Sequence, residues 1–456
     1  MEDKQENLEM PFDFEYLRKL LIDENIDEFR EQFLALHNYD QATFYEKVGP
    51  DLRQTIYHYL SPEEMAEIYE AIELDEEEVS KFISEMEPSY AAEMLSSMYT
   101  DDVVDVLNEL EEEHRDSFLE MMDEETAEEI SELLQYEEET AGSIMTTEYV
   151  FVQENSTVRS AMNVLRQEAP DAETIYYIFV VDESHRLTGV ISLRDLIVAD
   201  EDALIRDIMS ERVVYAKVTD NQEKIAQIFK DYDFLAFPVV DDDGVMQGII
   251  TVDDIIDVID EEASDDYSKL AGVSDIDDVE AGPLKAAKTR LPWLIMLLFL
   301  GMITATLMGQ FEATLEKVAL LALFIPLISG TSGNSGTQAL AVVVRGIATG
   351  EINEKSKLKM IFREMGTGLI TGLVCGLLVV GIVYFWKGSL IVGLLVGTAI
   401  CCSIFVATIA GSLIPLFIHK LGIDPAVASG PFITTLNDIT SILIYLGLAT
   451  ILLGQL

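Results

Sequence analysis

Cysteine and histidine are scarce in this chain. Its 456 residues include 3 cysteines and 5 histidines. Cys375, Cys401 and Cys402 all fall in long apolar segments and lack the C-x-x-C spacing of a zinc site. We therefore interpret them as small packing residues that form no disulfide framework. The few, scattered histidines argue against a site for soft metals.

Basic residues are also few. The chain has 29 Lys and Arg against 83 Asp and Glu, a formal net charge of -54 at pH 7. Such an acidic surface repels a phosphate backbone, which argues strongly against nucleic acid as a partner. The chain lacks both a G-x-x-x-x-G-K-[ST] motif and a nucleophile-base constellation, so we expect neither ATP hydrolysis nor enzyme activity. No basic segment with a short apolar core lies near Met10, so we expect no cleavable signal.

Charge and hydrophobicity divide the chain into two parts. Residues 1–275 hold 18 basic and 73 acidic residues, whereas residues 276–456 hold 11 and 10. The first part therefore carries about -55 and the second about +1. The second part contains five long apolar runs, at 291–311, 318–344, 361–386, 389–418 and 426–453. Since a helix needs about 20 apolar residues to cross a bilayer, we predict an α-helical domain of five transmembrane spans over residues 286–456.

Basic residues lie beside alternate ends of these runs. Those on one side of the membrane are Lys285, Lys288, Arg290, Arg345, Lys355, Lys357, Lys359, Arg363 and Lys420. The opposite loops hold only Lys317 and Lys387. The positive-inside rule therefore predicts a multi-pass protein of the plasma (inner) membrane with a cytoplasmic N-terminus and an external C-terminus.

A repeat of 12 residues marks the first domain, residues 1–140. Similar segments begin at 86, 98, 110 and 122, and Leu95, Leu107 and Leu119 lie in register. A period of this length fits one short helix and a turn, so we predict an all-α superhelical domain. The alternative is an ordinary helical domain whose helices resemble one another by chance.

Residues 141–262 contain an internal duplication with β-branched strands, which predicts an α/β domain pair at 141–204 and 205–262. The segments TGVISLRDL and QGIITVDDI correspond, and the first copy carries extra residues near 168–174. The duplication resembles a tandem pair of cystathionine-β-synthase (CBS) domains. That resemblance implies regulation, often by adenine nucleotides, and places ribose- and phosphate-proximal positions at Ser192, Asp195, Thr251 and Asp254. The same residues also fit helix caps, so ATP as a modulator is one of two interpretations.

An acidic connecting segment, residues 253–285, follows the duplication. It is predicted to be a helix that leads to the membrane. Its acids are Asp253, Asp254, Asp257, Asp260, Glu261, Glu262, Asp265 and Asp266. A charge run of this kind is usually a solvated face. Its position directly before the spans favours a role at their cytoplasmic mouth instead.

Asp438 is the one acid well inside any of the five runs. A carboxylate in hydrocarbon costs several kcal/mol, so such residues face protein or a water-filled path and usually mark function. A structural bridge to a buried base is the alternative. Because no Lys or Arg lies deep in any run, a mobile cation is the better partner.

Polar residues of the second and fifth runs supply the surroundings of Asp438. The second run contains Ser329, Gly330, Thr331, Ser332, Gly333, Asn334, Ser335, Gly336, Thr337 and Gln338, and the fifth contains Thr434, Thr435, Asn437, Thr440 and Ser441. These residues predict a wet cavity, although contacts between helices explain them too. Oxygen ligands select hard cations, and two carboxylates on a dimer axis suit hydrated Mg²⁺.

The segments SGNSGTQA and DPAVASGPFITTLND, together with the order of the domains, resemble the MgtE-type magnesium transporter/channel family over nearly the whole chain. The resemblance implies a homodimer whose pore binds Mg²⁺ at Asp438, and we place Ala428, Thr434 and Asn437 around that ion. Candidate pore-lining residues are Gly330, Ser332, Gly333, Asn334 and Thr337. The resemblance also implies cytoplasmic Mg²⁺ sites, for which the candidates are Asp424, Glu261, Glu262, Asp265, Asp253, Asp257, Asp101 and Asp102.

The charge imbalance suggests how such a protein is gated. Facing acidic domains repel one another, and bridging divalent ions favour a compact arrangement. We therefore expect a path that opens at low and closes at high cytoplasmic Mg²⁺. The alternatives are another CBS-regulated transporter, for Mn²⁺, Co²⁺ or another ion, and a membrane-anchored ion sensor. A channel and a coupled transporter both fit the sequence.

Overall fold

The computed structural model describes residues 12–72, 76–273, 282–352 and 356–452. It divides into two compact units, Met1–Val258 and Ile259–Leu456. The predicted domains 1–140, 253–285 and 286–456 extend in part over residues outside these ranges, and Lys355 lies outside them too.

Ten short helices form the first part of unit 1, which confirms the predicted helical domain. They are α1 Phe14–Ile22, α2 Ile26–Phe33, α3 Asn38–Lys47, α4 Pro50–Tyr59, α5 Pro62–Tyr69, α6 Glu76–Glu85, α7 Pro88–Leu95, α8 Thr100–Asn108, α9 Glu112–Leu119 and α10 Glu124–Leu133. Helices α7 to α10 begin 12 residues apart, as the repeat predicts. The same spacing already holds for α3, α4 and α5. Most of these helices pack on the helix two positions further along the chain, as in a stacked superhelix.

Proline and acidic caps explain why the helices begin where they do. A proline occupies the first turn of α4, α5 and α7, where its fixed φ suits the helix and its missing N–H is not needed. Ser61 and Glu64 form a capping box at α5. Short helices with strong starts, all but α5 and α6 joined by two to four residues, produce the observed repeat.

Two three-stranded sheets follow, which confirms the duplicated α/β pair. The first contains β1 Tyr149–Gln153, β2 Thr174–Val181 and β3 Leu187–Ser192, and the second contains β4 Ala216–Lys217, β5 Ala236–Val240 and β6 Met246–Thr251. In each sheet the first two strands are parallel and the last two antiparallel. The helices of the pair are α11 Val158–Glu168, α12 Leu193–Val198, α13 Ile205–Ile208 and α14 Gln222–Tyr232.

Each copy completes the sheet of the other. Thr146, which precedes the first sheet, exchanges backbone hydrogen bonds of 2.8 and 2.9 Å with Ile249 of the second. Ser210, which precedes the second sheet, exchanges bonds of 2.9 and 3.1 Å with Val190 of the first. A Cβ at Gly248 would lie 2.5 Å from the Thr146 carbonyl oxygen, so glycine is required there for the exchange.

Unit 2 consists of long helices. Helix α15, Val252–Ala271, reaches into it from unit 1, and its other elements are α16 Pro283–Gly309, α17 Glu312–Lys317, a 3₁₀ helix Ala319–Phe324, α18 Ile325–Ala348, α19 Lys357–Lys387, α20 Leu390–Lys420, a 3₁₀ helix Pro425–Val427 and α21 Gly430–Ile451. Helix α20 packs against α18, α19 and α21. Glycines allow the close approach: a Cβ at Gly411 would lie 2.2 Å from the carbonyl oxygen of Gly336.

Among the described residues, four helices are long and apolar enough to cross a membrane: α16, α19, α20 and α21. Helix α18 has 24 residues, but it carries the polar residues of the second run and is not among them. The membrane-spanning character of the second part is therefore confirmed, and the fifth span remains a prediction. The second run begins as a 3₁₀ helix because Pro326 starts α18 later than expected.

Candidate cation sites

Asp438 lies on α21, and its carboxylate accepts a hydrogen bond of 2.6 Å from the hydroxyl of Ser329 on α18. The side chain is half-buried. Among the described residues no salt bridge involves Asp438. This arrangement argues against the alternative of a structural bridge to a buried base.

A cavity of about 770 Å³ lies beside the first turns of α21. Three of the predicted pore residues, Asn334, Thr337 and Thr434, line its walls. The hydroxyls of Thr337 and Thr434 are 3.2 Å apart. Gln338 and Thr435 also line the cavity, as do the apolar side chains of Leu270 and Leu297. Oxygen and amide groups in such a space suit a hydrated cation.

Other predicted pore residues lie away from this cavity. Asn437 and Ala428 are buried, and Ser332 is buried with its hydroxyl bonded to the Ser329 carbonyl. Asn437 packs against Gly336, and its amide has no hydrogen-bond partner among the described residues. Gly333 contacts Thr434, whereas a Cβ at Gly330 would meet open space. The geometry thus brings together part of the predicted set.

Asp424 lies in the loop between α20 and α21, directly before the 3₁₀ helix Pro425–Val427. Its carboxylate accepts a bond of 2.8 Å from the backbone N–H of Ala426 and pairs with Lys269 at 2.7 Å. Lys269 also contacts Asp265. Burial and the charges of Asp424 and Glu262 raise the pKa of Asp266 to about 6. Lys269, which is not among the predicted site residues, therefore links two predicted candidates, Asp265 and Asp424. Another candidate, Glu261, is exposed.

A second acidic cluster, which we call the inner cluster, consists of Asp101, Glu173 and Asp254. Carboxylate oxygens of the three lie within 4.8 Å of one another. Asp101 stands in the first turn of α8, Glu173 directly before β2 and Asp254 in the first turn of α15. Three carboxylates at this separation can bind a hard divalent cation.

The three residues of the inner cluster have different predicted roles. Asp101 was a metal candidate, Asp254 was a nucleotide candidate, and Glu173 was not a candidate. Glu173 belongs to the extra residues near 168–174 of the first copy, which was the signal available in the sequence. Asp253 and Asp257 are exposed on α15 and are not members of the cluster, whereas Asp102 is partly buried beside it.

Burial raises the pKa of the three carboxyls of the inner cluster and that of the neighbouring Asp102. The pKa of Asp101 rises well above its usual range, that of Asp254 rises to about 6, and those of Asp102 and Glu173 rise to about 8. The neighbouring negative charges act in the same direction. Without a cation, the inner cluster therefore favours bound protons.

Comparison with known proteins identifies the family that has this order of domains. A family described as "Divalent cation transporter" matches residues 325–448, the "MgtE intracellular N domain" matches 36–139, and the CBS domain matches 141–202 and 205–261. The magnesium transporter MgtE of Enterococcus faecalis is 54% identical over 445 residues, which is 98% of each chain. This chain belongs to the MgtE family of magnesium transporters. MgtE of Thermus thermophilus is 44% identical over 71% of this chain and 72% of its own.

Solved structures of related proteins resemble part of this MgtE chain. The soluble part of a magnesium transporter covers 56% of this chain and 100% of its own, with 54% identity and a TM-score of 0.55. The cytosolic domain of the Mg²⁺ channel MgtE in complex with ATP covers 54% of this chain and 99% of its own, with 38% identity and a TM-score of 0.51. Membership confirms the predicted magnesium transport by a membrane protein with CBS domains, and it confirms that this MgtE chain is not an enzyme.

The nucleotide candidates of this MgtE chain form two equivalent helix starts. The hydroxyl of Ser192 donates to the Asp195 carboxylate at 2.6 Å, and that of Thr251 donates to Asp254 at 2.5 Å. Ser192 also accepts from the backbone N–H of Asp195, as a helix cap does. Ser192 and Asp195 lie at the surface, whereas Thr251 is buried.

The raised pKa values predict how the stability of unit 1 depends on pH in this MgtE protein. Since the folded state binds more protons than the unfolded chain between about pH 4 and pH 8, the free energy of unfolding falls as pH rises through this window. Mg²⁺ replaces the protons, so adding it should flatten the fall. Hydrogen-exchange protection of the α8 amides in the full chain, measured at several pH values with and without Mg²⁺, checks this. An equal slope in both conditions would contradict it.

Proposed function

We propose that this magnesium transporter conducts hydrated Mg²⁺ through a homodimeric pore that is closed by cytoplasmic Mg²⁺. The observation that carries the proposal is Asp438, a carboxylate within a membrane helix that is bonded to one hydroxyl and to no base among the described residues. A charge in that position requires water and a counter-ion. A passing dication supplies the counter-ion.

In a dimer, two Asp438 carboxylates can bind the same Mg²⁺ ion. Mg²⁺ keeps most of its water and is held by one or two carboxylates, so an Asp438 from each subunit across a two-fold axis suits the hydrated ion. The cavity beside Thr337 and Thr434 supports a route from Asp438 toward the cytoplasm. The basic residues around the spans support a cytoplasmic N-terminus and an external C-terminus.

The inner cluster supports regulation by the transported ion. Its three carboxylates come from the N-terminal helical domain, the first CBS copy and the start of α15. A bound Mg²⁺ would hold these three segments together, and its loss would let their negative charges separate them. Mg²⁺ therefore shifts the equilibrium toward the arrangement that binds it more tightly, which we propose is the closed one.

Inward transport needs no hydrolysis in this scheme. The membrane potential is worth about 2.3 kcal/mol per charge per 100 mV, and Mg²⁺ carries two charges. The ATP complex of the related cytosolic domain supports ATP as a modulator of this chain. Ser192 and Asp195, at the surface of the first copy, are the residues we propose for that contact.

The test is ion flux against cytoplasmic Mg²⁺ in reconstituted full-length protein. We expect Mg²⁺ influx that falls as Mg²⁺ rises on the side of the acidic domains, and weaker transport of Ca²⁺ and Mn²⁺ in the same preparation. A preference for Mn²⁺ or Co²⁺ would favour the alternative of a different CBS-regulated transporter. Absence of flux, with Mg²⁺ binding retained, would favour a membrane-anchored ion sensor.

A further inference from the structure

Lys269 is the single basic residue of α15, which carries eight acidic residues. It lies in the last turn of the helix, in unit 2, and is one-third exposed. Its ammonium contacts Asp265, one turn earlier on the same helix, and Asp424 in the loop between α20 and α21 at 2.7 Å. The ammonium group of Lys269 thus lies between two carboxylates, as a divalent ion does in a metal site.

The ion pair with Asp424 joins two segments that meet at the cavity. On the side of α15, Leu270 lines the cavity, and its carbonyl oxygen lies 3.2 Å from where a Cβ at Gly430 would stand. Gly272 lies close to Pro431. On the other side, Asp424 caps the short helix that leads into α21. The lysine is the charged part of this contact.

Lys269 is protonated at physiological pH. Burial lowers its pKa, but the hydrogen bonds to Asp265 and Asp424 outweigh burial and raise the pKa above its ordinary value. The titratable groups that face it are Asp265, Asp266 and Asp424. Without the lysine, carboxylates of α15 and of the loop would face each other and repel.

We propose that Lys269 is a built-in cation that fastens the end of α15 to the loop between α20 and α21 without any bound metal, and so limits transport at zero cytoplasmic Mg²⁺. This inference rests on the proposed Mg²⁺ gate and adds a part of it that does not depend on Mg²⁺. Because the pair is partly exposed, its contribution to the closed state corresponds to roughly a two- to fivefold change in the equilibrium.

The test compares Lys269→Gln with wild type in proteoliposomes whose acidic domains face a chelator. We expect the substitution to raise Mg²⁺ flux at zero cytoplasmic Mg²⁺ by roughly two- to fivefold. Lys420→Gln is the matched control, since it removes the same charge from the end of α20 beside the same loop. Unchanged or reduced flux in Lys269→Gln, or an equal increase in Lys420→Gln, would overturn the proposal.

Exchanging the two charged residues distinguishes an ion pair from a metal site. Asp424→Asn alone should raise flux as Lys269→Gln does, and the double substitution Lys269→Asp with Asp424→Lys should return it toward wild type. A metal site at Asp424 would not recover in this way, so failure of the rescue also counts against the proposal. If wild-type flux ignored cytoplasmic Mg²⁺, the gate would be wrong, but the comparison in chelator would still decide the role of Lys269.

Discussion

Replacing Asp438 by asparagine should abolish most Mg²⁺ transport while leaving the protein folded. The amide keeps the size of the side chain and can still bond to Ser329, but a dimer loses both negative charges at the centre of its path. Substitution of groups that merely support a metal ligand costs about 10- to 100-fold, so loss of the ligand itself should cost about 100-fold or more in flux. Influx of Mg²⁺ into proteoliposomes at zero cytoplasmic Mg²⁺ measures this.

Two further variants make this result specific. Ser329→Ala removes the hydrogen bond that the carboxylate accepts from Ser329 and should reduce flux by about tenfold, since it frees the orientation of the ligand. Thr450→Val is the control on the same helix, because its hydroxyl bonds to Thr314 and lies outside the cavity. Transport by Asp438→Asn at the wild-type rate would contradict the pore that we propose.

Replacing Glu173 by glutamine should weaken inhibition by cytoplasmic Mg²⁺. The substitution removes one of the three carboxylates of the inner cluster, and we expect the half-inhibiting Mg²⁺ concentration to rise by about tenfold. It should also increase the stability of unit 1 in chelator, because the buried amide avoids the cost that burial and the neighbouring carboxyls impose on Glu173, which must bind a proton or carry a charge there. A purely structural role predicts the opposite change in stability.

The control for Glu173 is Asp171→Asn. Asp171 lies two residues earlier in the same segment, is exposed and is not part of the inner cluster, so the variant removes the same charge from the same region. Both variants reduce the overall repulsion between acidic domains equally. Equal shifts in Mg²⁺ inhibition would show that net charge alone matters and that the inner cluster is not the sensor.

The fold was largely predictable because its signals repeat along the chain. The spacing of α7 to α10 appears directly as the spacing of similar segments, and the alignment of Gly189 with Gly248 anticipates the two equivalent sheets. Asp438 was evident because one charge contrasts with an apolar run. Such signals are local, so they require no knowledge of which distant segments meet.

The remaining site features depend on tertiary contacts. Asp101, Glu173 and Asp254 are far apart in sequence, and each alone looks like an ordinary surface acid. Lys269 and Asp424 are separated by 155 residues. Asn437 and Asp438 are adjacent and both polar, but the direction of each side chain on α21 is set by the packing of α18, which buries Asn437 against Gly336. Composition does not determine which neighbour faces the interior.

The exchanged backbone hydrogen bonds of the CBS pair link the two copies to each other. Thr146 is paired with the second sheet and Ser210 with the first, so neither copy can tilt without carrying the other. Glu173 belongs to one copy, and Thr251, which positions Asp254, ends a strand of the other. A displacement of Glu173 in the first copy should therefore also move the start of α15, which follows the last strand of the second copy.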